Sequence, residues 1–295
     1  MKNVCFESNF YKKKFDKLDI MLYNNVRCSA KNERYRNARE EMELPRFFVP
    51  RTQICDNIVT VIGDDAHHIA RSLRMAVGEH ITVCDMQTSE YECELLEFDD
   101  DRTITARILY DKPLTTESPL SITLYQALPK GDKLDMIIQK AVECGVSRIV
   151  PFESDNCVVR VKQDAETRKT ERRNRIALEA AKQCGRGLLP VVEETISFNE
   201  MITQGTKADL MLFCYEGEGV FSLKDILRQY RESLLQNAER PSIAIVIGSE
   251  GGFTPAEARM ACDKGSKMVN LGPRILRTET ASCFVLSSLA YEFEL

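Results

Sequence analysis

The sequence predicts a small β-rich domain followed by a larger α/β domain built on a parallel sheet. Three observations predict it. Short runs of alternating apolar and polar residues crowd positions 46–110, as half-buried strands require. From Leu120 onward, apolar strand-like runs alternate with amphipathic helical stretches. Two of those later strands end in glycine-bearing loops.

Residues 1–43 are set apart. The first 41 are polar, weakly periodic and carry 10 basic against 6 acidic residues. They read as a disordered extension or the product of a start placed too early, with no role assigned. The small domain, 44–115, opens on Arg46-Phe-Phe-Val. Its strands are expected at 58–62, 80–86, 91–98 and 103–109. One helix interrupts them, beginning at Asp64-Asp65, running through Ile69, Leu73 and Met75, and stopping before Gly78. Residues 111–119, bounded by Pro113 and Pro119, read as a linker.

The α/β domain occupies 116–295. A strand at 122–126 is followed by a helix opened by Gly131-Asp132. Leu134, Ile137, Ile138, Ala141 and Val142 fall on one face of that helix, and Gly145 stops it. Further strands are expected at 149–152, 210–214, 243–247 and 268–271. Helices are expected at 168–184, ending at Gly185, and near 221–235, 255–264 and 279–292. Thr254-Pro-Ala-Glu257 is a capping box with proline at the first helical position, so it starts the third of these.

Composition narrows the function. The chain is 43% hydrophobic and 29% charged, with no run near the roughly 20 apolar residues of a membrane span. Its first residues lack a secretory core, so a cytoplasmic protein is expected. The 11 cysteines are irregularly spaced without a C-x-x-C pair, and the three histidines (His67, His68, His80) have no cysteine pair at ligand spacing. Neither a disulfide framework nor a metal site is expected. A net charge of −5 excludes a general nucleic-acid glue. Any RNA must meet local basic patches, such as residues 160–186 with 9 basic against 4 acidic residues.

Ligands of open parallel sheets bind beyond the carboxyl ends of strands. Two such ends stand out here: Gly-Ser-Glu-Gly-Gly-Phe-Thr at 248–254, and Gly-Pro-Arg-Ile-Leu-Arg-Thr-Glu-Thr at 272–280. The glycines permit close backbone approach, although a tight turn before a helix also accounts for part of the first loop. Arg274 and Arg277, just ahead of a helix start, could hold an anion or could pair with Glu279. No Walker phosphate loop and no G-x-G-x-x-G fingerprint is present.

These two loops, in this order and about 20 residues apart, resemble those of the ribosomal RNA uridine-N3 methyltransferases of the SPOUT superfamily, the RsmE family. Supporting matches are Arg46-Phe-Phe-Val, His67-His68 with Leu73-Arg74, Lys130-Gly-Asp-Lys-Leu-Asp135, Gln139-Lys140, Glu143-Cys-Gly and Glu179 to Arg186 with Pro190. The resemblance spans roughly residues 45–295. It implies a PUA-like RNA-binding domain, a SPOUT-type α/β domain with a trefoil knot, and a homodimer. It implies S-adenosylmethionine as cofactor, bound by Gly248, Glu250, Gly251, Gly252, Leu271, Gly272, Ile275, Leu276, Thr280 and Ala281. The implied substrate is the uridine numbered 1498 in 16S rRNA of the small ribosomal subunit, methylated at N3.

For RNA contact the expected residues are Arg46, Arg51, Arg71 and Arg74 in the small domain, and Arg172, Arg173 and Arg186 in the α/β domain. The charge run at 168–175 reads equally well as a solvated helix face. Chemistry at N3 needs a base, or a cation that stabilises the uracil anion, because neutral N3–H offers no lone pair. With all three histidines in the small domain, Arg277 or Arg274 is expected to stabilise the anion. Water or a carboxylate, Glu279 or Glu250, would take the proton. Alternatives are a non-catalytic RNA-binding or ribosome-assembly protein, a knotted methyltransferase acting on tRNA and, more distantly, a nucleotide-binding oxidoreductase.

Overall fold

A computed structural model describes residues 44–161, 163–237 and 240–295. The extension at 1–43, for which no role was expected, lies outside them.

The first sheet is built from β1 (Arg46–Phe48), β2 (Ile54–Cys55), β3 (Ile58–Ile62), β4 (His80–Cys84), β5 (Ser89–Asp100) and β6 (Thr103–Pro113). A short helix α1 (Asp64–His67) follows β3. The strand order is β1-β4-β5-β6-β3-β2, antiparallel except where β1 runs parallel to β4. Alternation in the sequence becomes alternation in burial: Val59 and Val61 of β3 face inward beside Ile81, Leu95 and Ile104. Three register shifts between β5 and β6 bend this long hairpin.

Two expectations change here. The helix from Asp64 does not run through Leu73: after α1 the chain makes a π-helical turn, His68–Ser72, and then leaves the helix. Ile69 is buried, but Leu73 faces solvent and Arg74 sits at φ 55. The strand from His80 ends at Cys84 rather than Met86, because the Asp85 carboxylate accepts from the amides of Gln87, Thr88 and Ser89 and turns the chain. In turn β6 reaches Pro113, which shortens the linker.

The second sheet begins with β7 (Ser121–Ala127), α2 (Lys133–Glu143), β8 (Arg148–Glu153) and α3 (Gln163–Gln183). It continues through β9 (Val191–Val192), β10 (Ile196–Ser197), α4 (Phe198–Gly205), β11 (Leu210–Cys214), β12 (Phe221–Ser222) and α5 (Leu223–Asn237). It closes with β13 (Ser242–Ile247), α6 (Pro255–Asp263), β14 (Lys267–Asn270) and α7 (Thr278–Phe293). All its pairs are parallel, in the order β10-β8-β7-β13-β11-β14-β12, with β9 beside β8. Five consecutive residues of β13 are buried, as a central strand covered on both faces requires. All five apolar residues expected on the face of α2 are buried. Helix α4 was not anticipated, although Ser197 and Glu200 form a full capping box at its start.

Strand order does not follow chain order. After β11 the chain inserts β13 between β7 and β11, then crosses to place β14 on the other side of β11. Three strands separated in sequence thus end side by side.

Candidate active site

Because β13, β11 and β14 are neighbours, the loops that follow them meet beyond one end of the sheet. They enclose a cleft of about 590 Å³. Cys214, Tyr215, Glu216 and Gly217 come from the loop after β11; Gly248, Ser249, Glu250, Gly251, Gly252 and Phe253 follow β13. Leu271, Ile275, Leu276 and Arg277 follow β14, with Thr278 and Ala281 from the start of α7 and Lys133 from α2.

Packing explains the glycines. A Cβ at Gly251 would lie 2.9 Å from Asn156 Cβ and 3.0 Å from the Asn156 carbonyl oxygen. At Gly248 it would lie 3.2 Å from the Phe253 ring. Gly252 adopts φ 62, a left-handed conformation that favours glycine. Thr278 ties two of the loops together: its Oγ1 donates to the Gly248 carbonyl at 2.6 Å and accepts from Gln126 Nε2 at 2.9 Å. Gln126 is wholly buried at the end of β7, and sequence reasoning passed over it. A lone amide in the otherwise apolar run Leu124-Tyr-Gln-Ala127 was the available signal.

The polar balance is uneven. Lys133 Nζ lies 2.9 Å from Glu250 Oε1 and 3.4 Å from Glu279 Oε2. The Lys130 amide also donates to both Glu250 oxygens at 3.3 Å. Burial alone would raise the Glu250 carboxyl, but the bond from Lys133 and the backbone amides hold it below its usual range. Hydrogen bonding to Glu250 correspondingly raises Lys133 above the usual lysine value. Ser249 Oγ, Gln126 Oε1 and Glu279 Oε2 are buried without a hydrogen-bond partner.

Of the residues expected to hold a cofactor, Gly248, Glu250, Gly251, Gly252, Leu271, Ile275, Leu276 and Ala281 share this cleft, together with Arg277. Four expected residues do not line it; one of them, Glu279, stands beside it, 3.4 Å from Lys133. Gly272 and Thr280 line a separate hollow of about 830 Å³ between α5 and α7: the chain turns at Gly272 with φ 103, and Thr280 is a step of about 100° round its helix from Ala281. Arg274 is exposed and does not line the cleft. Sequence reasoning also missed the loop at 214–217, whose Tyr215-Glu-Gly217 ends an apolar strand as the other two loops do, and it gave Lys133 no role at the site.

The arginines divide sharply. Arg186 is 3% exposed; its guanidinium meets Glu117 at 2.7 Å and donates to the carbonyls of Val142 and Val146. Arg173, with a side chain 9% exposed, pairs with Glu166 at 2.8 Å. Arg46 reaches both Glu90 and Cys84 Sγ at 2.8 Å. These three side chains are committed to partners within the fold. Arg51, Arg71 and Arg172 are exposed but engaged with Asp85, Asp101 and Asp135. Arg74, Arg168, Lys169 and Arg175 are exposed and form no ion pair among the described residues.

A glycine-walled cleft beyond adjacent strand ends is where a parallel α/β sheet binds its ligand. Residues 116–290 match the family model described as RNA methyltransferase domain, and residues 61–109 match the RNA methyltransferase PUA domain. Ribosomal RNA small subunit methyltransferase E of Bacillus subtilis (strain 168) is 33% identical over 255 residues, covering 85% of this chain and 98% of that protein. The chain therefore belongs to the ribosomal RNA small subunit methyltransferase E family of RNA methyltransferases. Its counterpart from Synechocystis sp. (strain ATCC 27184 / PCC 6803 / Kazusa) is 30% identical, with 83% of this chain and 76% of that one covered. A crystal structure of the Neisseria gonorrhoeae enzyme bound to S-adenosyl methionine superposes with a TM-score of 0.70 at 29% identity, covering 84% of this chain and 98% of that one.

Proposed function

We propose that this enzyme methylates N3 of a uridine in 16S rRNA of the small ribosomal subunit, with S-adenosylmethionine as methyl donor. The observation that carries the reading is the meeting of three strand-end loops around one glycine-walled cleft in a chain of this family. The residues fit the donor. Gly248 and Gly251 leave backbone bare where a side chain has no room, and Ser249 Oγ lacks a partner. Gly248 to Gly252, Leu271, Ile275, Leu276 and Ala281 would hold it, with Tyr215 and Glu216 on the third wall. When bound, S-adenosylmethionine supplies a methyl group carried on a sulfonium.

The chain's own residues do the rest. Ile247, Phe253, Val269 and Leu276 give the cleft an apolar wall that limits water. Arg277 on the cleft wall stabilises the uracil anion as N3 gives up its proton. His80 pairs with Glu92 and His67 with Asp101, both within the small domain. Phosphates of the RNA meet Arg168, Lys169 and Arg175 on α3 and Arg74 on the small domain; such contacts position RNA without reading sequence.

The divisions 44–115 and 116–295 serve as the RNA-binding and catalytic domains. Support for a homodimer comes from α7, which leaves Phe284 and Tyr291 exposed beside the second hollow. No helix among the described residues is long and apolar enough to cross a membrane. Titration calorimetry tests the cleft. Saturable binding of one S-adenosylmethionine per chain is expected, and no binding rejects the reading.

A further inference from the structure

Beside the cleft two carboxylates share one ammonium. Lys133 lies within ion-pair distance of both Glu250 and Glu279. The two glutamates are not equivalent. Glu250 accepts from Lys133 at 2.9 Å and from the Lys130 amide through both oxygens. Glu279 Oε2 is buried, and among the described residues no donor reaches it in hydrogen-bonding geometry; Lys133 only faces it across 3.4 Å. A buried carboxylate oxygen without a donor is costly, and a fold retains few of them. Lys133 itself lines the cleft; Glu279 does not, but stands behind Lys133 in the first turn of α7, two residues beyond Arg277 of the cleft wall.

We infer that Glu279 accepts the N3 proton of the target uracil, and that Lys133 is the positioning residue that fixes the Glu279 carboxylate beside the cleft. The inference rests on the uridine-N3 reading. In the step, the N3–H bond breaks and an O–H bond forms on Glu279. The freed N3 electron pair takes the methyl group, whose bond to sulfur breaks to leave a neutral thioether. Glu279 afterwards returns its proton to solvent. Glu250, saturated by its donors, holds Lys133 in place. The charged groups around Glu279 are then Lys133 from α2, Glu250 from the loop after β13 and Arg277 on the approach to α7.

The test is single-turnover methyl transfer to unmodified small subunits across a range of pH, with cofactor affinity measured in parallel by calorimetry. Glu279→Gln is expected to slow transfer by roughly 100-fold or more and to lose the acid limb of the rate profile, with cofactor affinity changed by less than about threefold. Lys133→Met removes the neighbouring positive charge, which favours the protonated carboxylic acid, so its acid limb moves to higher pH. Lys133→Arg restores the wild-type limb. Transfer by Glu279→Gln within a few-fold of wild type, or a Lys133→Met profile that superimposes on wild type, overturns the assignment while leaving the uridine reading intact. Wild-type enzyme that labels no uridine overturns that reading and this assignment together.

Discussion

The Thr278 hydroxyl donates to the Gly248 carbonyl at 2.6 Å, joining the start of the last helix to the loop after β13, 30 residues earlier. Gln126 backs this bond from β7, so three segments of the cleft share one buried polar contact. Thr278→Val removes the donor and keeps the shape. Losing a buried hydrogen bond costs about 1–2 kcal/mol, so cofactor affinity is expected to fall roughly tenfold. Calorimetry on the variant checks this, and unchanged affinity would show that the tie does not shape the bound cleft.

Gly251 packs against the backbone oxygen of Asn156, which cannot move aside as a flexible side chain would. Gly251→Ala is expected to cost about 1–3 kcal/mol of stability through overpacking. It should also displace the loop that walls the cleft, weakening cofactor binding. Thermal melts with and without cofactor separate the two effects. A variant that matches wild type in both places Gly251 there for the turn alone.

Much of this site was legible in the sequence. The loops at 248–252 and 271–276 declared themselves because glycines at apolar strand ends have few other uses, and α2 declared its buried face through the spacing of Leu134, Ile137, Ile138, Ala141 and Val142. What stayed hidden depends on contacts between distant positions. Arg186 and Glu117 are 69 residues apart, so a run of basic residues could not reveal that its last member was buried. Tyr215-Glu-Gly217 reads as a solvated turn until β11 is known to lie between β13 and β14. The helical spacing through Ile69 and Leu73 misled, because it cannot show where a π-helical turn ends a helix.

The Arg186–Glu117 pair makes stability depend on pH. Burial alone would raise the Glu117 carboxyl, but Arg186 and the amides of Leu188 and Gly187 hold it below its usual range. A depressed carboxylate stabilises the fold above its unfolded pKa and loses that contribution as pH falls through its folded value. Glu117→Gln should therefore be less stable than wild type near neutral pH, with the gap closing below about pH 4. Arg186→Gln leaves the carboxylate buried without its partner and is expected to cost about 3–5 kcal/mol. Chemical denaturation at two pH values checks both, and a gap that is constant with pH contradicts the account.

On the exposed side of α3, Arg168, Lys169 and Arg175 have no ion-pair partner among the described residues, whereas Arg173 of the same run is buried. Replacing the three exposed residues with glutamine should lower the slope of log affinity against log salt by roughly 0.7–0.9 for each phosphate no longer neutralised. Arg173→Gln should lose stability instead, with the slope unchanged in the folded fraction. An unchanged slope in the triple variant removes α3 from the RNA-binding surface.

The most direct test of the central claim is methyl transfer from labelled S-adenosylmethionine to small ribosomal subunits lacking the modification, with the labelled base mapped by mass spectrometry. The account predicts label on N3 of a single 16S rRNA uridine, formed roughly 100-fold or more slowly by Glu279→Gln. Label on another base or another ring position, or none despite cofactor binding, would contradict it.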